Sequence, residues 1–288
     1  MDLKSSVLEL IRRAATDLPE DVVKALSKAY EREDNGTPAK GVFKTILENV
    51  EMAKGQSTPI CQDTGSLLFF IDLPEGDSEK KYRKAINEAA IEATEKQYLR
   101  PNAVDPVTSK NSGNNIGENA PYIHFSQWDK DEVRIRVMLK GGGSENVGTQ
   151  YKLPFPPLKA GRDLNGVRKV IIDAVVKAQG LGCAPGTLGI GIGGDRVTSY
   201  ALSKVQFFRK IGERNSDPKI AEFESELLDK INRLKIGPMG FGGETTVLDV
   251  FVSSQARHPA TFFVAISYMC WAFRRKTMVL KKEEVTYD

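Results

Sequence analysis

The sequence predicts an α/β or α+β fold in which mixed β-sheets are flanked by helices, within one domain covering residues 1-288. Three observations lead there. Apolar residues recur at helical spacing in several stretches, and period-two alternation or short apolar runs mark strands between them. Helices and strands follow one another without the strict alternation of a purely parallel sheet. No internal repeat and no flexible linker divides the chain.

Taken in order, Val7 to Ala15 carries apolar residues at helical spacing, and Pro19 suits the first position of a second helix reaching Arg32. A third helix is expected from Pro38 to Lys54, with Val42, Ile46, Leu47 and Val50 on one face. Pro59 stops helical structure, so Cys61 to Gly65 forms a turn or loop. Ser66 to Leu73 reads as a buried strand, and Ser78 to Leu99 as a long helix with Ile86, Ala89, Ala90 and Ala93 inward. Pro101 to Asn119, poor in apolar residues, is a loop. Tyr122 to Phe125 and Glu132 to Lys140 read as a strand pair. Helices follow at Leu164 to Gln179, Arg196 to Phe208 and Lys219 to Leu234, with strands at Thr187 to Ile192, Thr246 to Val252 and Phe262 to Tyr268.

Composition narrows the function classes. Apolar content of 40% and charged content of 27% are ordinary for a globular protein. With 41 basic against 38 acidic residues the net charge is +3, which gives no reason to expect nucleic-acid binding. No stretch approaches the ~20 apolar residues of a membrane span, and Met-Asp-Leu-Lys-Ser-Ser lacks a signal-peptide layout. Three cysteines fit a reducing compartment, with cytoplasm as the expectation.

Those cysteines are the most informative residues. Cys61, Cys183 and Cys270 are too far apart for a CxxC zinc ribbon. A scattered cysteine is often a small buried hydrophobe. Here the flanks argue otherwise: Gln62, Asp63 and Thr64 follow Cys61, and Gly182, Pro185 and Gly186 surround Cys183. A metal centre assembled from distant loops is one reading, with an iron–sulfur cluster or zinc as candidates. Three ligands would leave one coordination position open to substrate.

Other punctuation carries weaker signals. Lys140 to Asn146 follows a strand, and its three glycines could bring backbone amides close to an anion, or simply turn a corner. It lacks the Gly-Lys-Ser/Thr ending of a P-loop. Gly189-Ile-Gly-Ile-Gly-Gly sits inside an apolar alternation, so close backbone packing explains it better than a dinucleotide site. Arg100 near a helix end could be solvated, cap carbonyls, or clamp a carboxylate. His124 alternates within a strand and reads as structural, whereas His258 lies in a loop open to a functional role.

Together, the segments Pro59 to Gly65 (PICQDTG), Leu99 to Asn102 (LRPN), Lys140 to Asn146 (KGGGSEN), Gly182 to Gly194, Gly237 to Thr246 and Ala256 to Cys270 resemble the iron–sulfur domain of class I fumarate hydratases and their L-tartrate dehydratase relatives. The resemblance spans almost the whole chain, making 1-288 a single iron–sulfur hydro-lyase domain of the alpha type. It implies a [4Fe-4S] cluster held by Cys61, Cys183 and Cys270, with the fourth iron free for substrate. It also implies that Asp63 and His258 act on the departing hydroxyl. Arg100, Gln62, Gly142 and Gly143 would bind the substrate's carboxylates.

Single-chain members of that family are longer, and a second domain supplies the base. Since this sequence ends at Asp288, the resemblance implies an alpha subunit in a hetero-oligomer whose beta subunit completes the site. The expected substrate is a small dicarboxylate, fumarate or (S)-malate. Neither nucleic acid nor membrane is an expected partner. The nearest competing reading is the alpha subunit of L(+)-tartrate dehydratase. Beyond it stand a zinc protein using His258 as fourth ligand and a non-enzymatic iron–sulfur sensor.

Overall fold

The computed structural model describes residues 2–282 and 284–288. In chain order its elements are α1 (Leu3–Thr16), α2 (Glu20–Arg32), α3 (Pro38–Gln56), β1 (Ser66–Pro74), α4 (Glu79–Glu95), β2 (Tyr122–Trp128), β3 (Val133–Lys140), α5 (Gly142–Asn146), β4 (Thr149–Lys152), α6 (Leu164–Ala178), β5 (Gly186–Gly193), α7 (Arg196–Val205), α8 (Pro218–Asn232), β6 (Val247–Gln255), β7 (Phe263–Met269), β8 (Arg274–Lys281) and β9 (Glu284–Tyr287). The mixed α/β class and the two mixed sheets agree with the sequence reading. Contacts gather into two compact units, each with its own sheet and core. One comprises Met1–Pro19, Glu48–Gly142 and Ala272–Asp288; the other comprises Glu20–Leu47 and Gly143–Trp271.

The first unit is built on the sheet β2-β1-β3-β8-β9. Leu67, Phe69, Ile71 and Leu73 of β1 alternate onto one face with Val133, Ile135, Val137 and Leu139 of β3. That face packs on Val7, Leu10, Ile11 and Ala14 of α1 and on Ile86, Ala89, Ala90 and Ala93 of α4. The opposite face mixes buried apolar residues (Leu68, Phe70, Met138) with charges: Asp72 accepts from Arg134 Nε at 2.8 Å and Arg136 Nη2 at 3.2 Å, and His124 stacks on Phe70 with centroids 4.7 Å apart. Three expectations need correction. α4 ends at Glu95, not Leu99, because Gln97 is left-handed (φ 63°) and the Tyr98 amide turns back to Ala93 O at 2.9 Å. Arg100 therefore stands in a loop. β2 and β3 are not partners, since β1 lies between them, parallel to β2 and antiparallel to β3.

The second unit holds the sheet β4-β7-β5-β6, with β5 parallel to β6 and antiparallel to β7. Leu188, Ile190 and Ile192 of β5 face a core with Val170, Ile171 and Val175 of α6 and Phe223, Leu227 and Ile231 of α8. On the other face α7 lies against the glycines of β5. A Cβ at Gly189 would come within 2.2 Å of Ser203 O, and one at Gly191 within 2.1 Å of Ser199 O. Close packing, as the sequence suggested, is what these glycines serve. Aspartates start the helices: Asp163, Asp195 and Asp217 each accept a backbone amide at the first turn of α6, α7 and α8. Among the described residues, no helix is long and apolar enough to cross a membrane.

Candidate active site

In the first unit, the Cys61–Gly65 loop is fixed by its neighbours rather than by regular structure. The Ile60 amide donates to Ala15 O at 3.0 Å, and Asn49 Nδ2 donates to Ile60 O at 2.8 Å. Thr64 is buried, and its hydroxyl accepts from the Arg100 amide at 3.0 Å and from Asn102 Nδ2 at 3.1 Å. Asn102 Nδ2 also donates to Gly65 O at 3.1 Å. Asn115 closes the lattice, accepting from the Asn102 amide and donating to Arg100 O, each at 2.8 Å. The PICQDTG and LRPN segments are thus one braced structure. From the sequence, Thr64 and Asn102 stood out only as members of the two motifs, without a bracing role, and Asn115, 15 residues beyond Arg100, was not singled out.

The brace leaves its reactive groups outward. Gln62 and Asp63 are exposed, Cys61 is half-buried, and the exposed Arg100 guanidinium makes no hydrogen bond or ion pair among the described residues. Asp63 is aimed from both sides: Oδ1 accepts from the Gly65 amide at 2.9 Å, and Oδ2 from the Gly142 amide at 2.7 Å. The Gly142 amide is therefore engaged with Asp63 here. Gly65 is required, because its φ is 81° and a Cβ would meet the Lys140 backbone at 2.8 Å. The glycine run Gly142–Asn146 is helical, not a loose corner, and Gly143 lies on its exposed side.

In the second unit, the β5–β7 pairing brings two cysteines to one end of the sheet. Cys183 precedes β5, Cys270 follows β7, and Thr187 pairs with Met269. Cys183 is exposed and left-handed (φ 56°), and its carbonyl accepts from the Trp271 amide at 3.2 Å. Tyr268 stands with both: burial, then the nearby charges of Cys270 and Cys183, holds its phenol above the usual range. Gly186 makes room for that ring, since a Cβ there would lie 2.3 Å from Tyr268 Cζ. Gly186→Ala is expected to destabilise the fold by at least the roughly 1–3 kcal/mol of an overpacked core. Denaturant midpoints would show it, and the loss should shrink in a Tyr268→Leu background if this ring is the obstacle.

His258 lies at the other end of the same sheet, before β7, in a groove of about 440 Å³ shared with Asp195, Thr198, Arg257 and Phe263. Its Nδ1 accepts from the Ala260 amide at 3.1 Å, which puts the neutral ring's proton on Nε2. The length of β7, roughly 20 Å at ~3.3 Å per residue, separates it from Cys270 of the same chain.

None of the three cysteines is joined in a disulfide. Among the described residues, no group of three or more His, Cys, Asp or Glu side chains is arranged to hold a metal ion. The donor chemistry nonetheless fits an iron–sulfur group: three thiols, with Cys183 and Cys270 gathered beside one buried phenol.

The family profile described as fumarate hydratase (Fumerase) matches residues 4–279, so the chain belongs to that family. A protein of Geobacillus stearothermophilus, provisionally named class I fumarate hydratase, is 46% identical over 276 residues, which cover 95% of this chain and 54% of the relative. The chain thus spans about half the length of that protein. A Methanocaldococcus jannaschii protein, provisionally named L(+)-tartrate dehydratase subunit alpha, is 39% identical, with 98% of both chains covered. The L(+)-tartrate dehydratase subunit alpha of Escherichia coli K12 is 33% identical over 92% of this chain and 86% of its own.

Proposed function

We propose that residues 1-288 act as the alpha subunit of a two-subunit [4Fe-4S] hydro-lyase that interconverts fumarate and (S)-malate in the cytoplasm. The observation that carries this reading is the brace of Thr64, Asn102 and Asn115, which presents Asp63 and Arg100 outward from one rigid scaffold. Family membership and the named relatives support the reaction class. The near-complete coverage of two subunits named alpha, against about half of a longer relative, supports a beta partner.

Cys61, Cys183 and Cys270 would hold the cluster, whose open iron would supply Lewis-acid help to a departing hydroxyl. Asp63, each oxygen already held by a backbone amide, is placed to give a proton to the departing hydroxyl in dehydration and to take it back from the adding water in hydration. Gln62 adds a polar contact on the same loop, and Gly143 an exposed backbone position. Gly142 contributes by aiming Asp63. Because β7 carries His258 to the far end of its sheet, that residue would reach the reacting hydroxyl from a second copy of the chain. The base for the C3 proton is assigned to the beta subunit. L(+)-tartrate dehydration stays as a second reading, favoured by the relatives that match this chain end to end.

Anaerobic assay of the cluster-loaded chain with its beta partner on fumarate, malate and tartrate separates these readings. Preferred turnover of fumarate and malate is expected; preference for tartrate selects the second reading, and no turnover of any of them defeats both. Within the same assay, Arg100→Lys should leave cluster absorbance intact but weaken substrate use. Losing one charge-assisted fork costs roughly 1.5–3 kcal/mol, about 10–150-fold in kcat/KM. Unchanged kinetics would return Arg100 to the role of a solvated surface charge.

A further inference from the structure

Strand β8 opens with three consecutive cations, Arg274, Arg275 and Lys276, all buried. Arg274 is the extreme case: it is 1% exposed, and its Nε and Nη1 find no hydrogen-bond partner among the described residues. It also makes no ion pair there. Its register partner is Leu139, so it shares the sheet face that carries the apolar core of the first unit. A guanidinium cannot shed its charge. Enclosing one without an ion-pair partner is strongly unfavourable, and in folded proteins at large the great majority of buried polar atoms are bonded.

The surroundings indicate what would satisfy it. Gly141 follows β3, and a Cβ there would lie 3.8 Å from Arg274 Nη2 and 2.9 Å from Asp63 Oδ2. Only a side-chain-free residue therefore stands between the guanidinium and the exposed carboxylate of Asp63. Asp63 forms no ion pair with Arg274 among the described residues, its carboxylate being oriented instead by the Gly65 and Gly142 amides. An anion arriving beside Asp63 would be repelled by that carboxylate unless a fixed cation stood close behind.

We propose that Arg274 is a carboxylate-binding residue of the site around Asp63, taking one carboxylate of the small dicarboxylate substrate through its unbonded N–H groups. The identity of the anion rests on the hydro-lyase reading; the need for an anion rests on Arg274 alone. Arg100 on the exposed side and Arg274 on the buried side of the Asp63 loop would then divide the two carboxylates of the substrate. Glycine at 141 is what leaves the inner cation within reach.

The test is anion-dependent thermal stability of the full chain, prepared anaerobically, with millimolar fumarate, malate, tartrate or phosphate against acetate at matched ionic strength. Wild type should be stabilised saturably by the dicarboxylates beyond acetate. Arg274→Gln should be at least as stable as wild type without added anion, because a buried uncompensated charge is gone, and should lose that dicarboxylate response. Arg274→Lys, with a charge but no fork, should bind dicarboxylate about tenfold or more weakly. Dicarboxylate stabilisation undiminished in Arg274→Gln, or in Arg274→Lys should the first variant not fold, overturns the proposal. So does an Arg274→Gln chain that is destabilised equally with and without anion, the mark of a purely structural arginine. Carboxylate binding lost in the variants with no hydro-lyase turnover in wild type would keep the inference and sink the proposed function. Normal turnover with unchanged KM in Arg274→Gln would do the reverse.

Discussion

Cys61→Ser, Cys183→Ser and Cys270→Ser are each expected to abolish turnover and visible cluster absorbance while leaving the fold in place. Serine is close to cysteine in size, and the loops are held by groups other than the thiols. Cys61 follows Ile60, whose amide and carbonyl are bonded to Ala15 and Asn49, and Cys183 is fixed through backbone bonds to Gly180 and Trp271. A hydroxyl is a far poorer ligand than a soft thiolate for an iron–sulfur centre. The loss should exceed the roughly 10–100-fold that removing an outer-shell partner costs a metal site. Circular dichroism, iron and sulfide content, and activity after anaerobic reconstitution check this together. A variant with wild-type iron content and turnover removes that cysteine from the ligand set. Exposure of wild type to air should likewise remove activity, and ferrous iron with thiol should restore it.

How much of this was legible in the sequence depended on whether a residue's partner was near it in the chain. Local patterns placed β1, α6, α7 and α8 closely, because apolar period and an aspartate cap act within a few residues. The C-terminal strand β8 was missed for a physical reason. Arg274-Arg275-Lys276 reads as a solvated charge run, yet all three are buried, and only pairing with β3 across more than a hundred residues reveals a strand. The expected pairing of Tyr122 to Phe125 with Glu132 to Lys140 failed similarly: the two strands are close in sequence, but β1 pairs with both and separates them.

The site shows the same division. Asp63 and Arg100 could be named from their motifs, whereas the brace beneath them joins Thr64 to Asn102 across 38 residues and Asn102 to Asn115 across 13. Such hydrogen bonds have no period and leave no local trace. Glycines were legible as punctuation but not in purpose. The run after Lys140 was open to an anion contact or a simple corner, and its Gly142 amide donates to the Asp63 carboxylate.

The isolated chain is expected to carry a cluster yet show negligible hydration of fumarate, with activity appearing on titration of a beta subunit. On its own surface it exposes Asp63 and Arg100, to which the proposed reading assigns the hydroxyl and one carboxylate. Dehydration of malate also needs a proton acceptor aligned with C3, on the side away from the departing hydroxyl. A positioned general base contributes typically about 10²–10⁴-fold. Fixing both carboxylates in a reactive pose contributes through proximity as well, up to roughly 7–11 kcal/mol in the best-aligned intramolecular systems. Removing the partner withdraws the base and part of the positioning together, so the deficit should compound to well beyond about 10⁴-fold. The measurement is initial rate against added beta subunit at fixed, anaerobic alpha chain, with saturation marking the stoichiometry. Robust turnover by the purified chain, with the partner rigorously excluded, would place the C3 base among these 288 residues. Asp63 could not then serve only the hydroxyl, and the division of roles between the subunits would have to be redrawn.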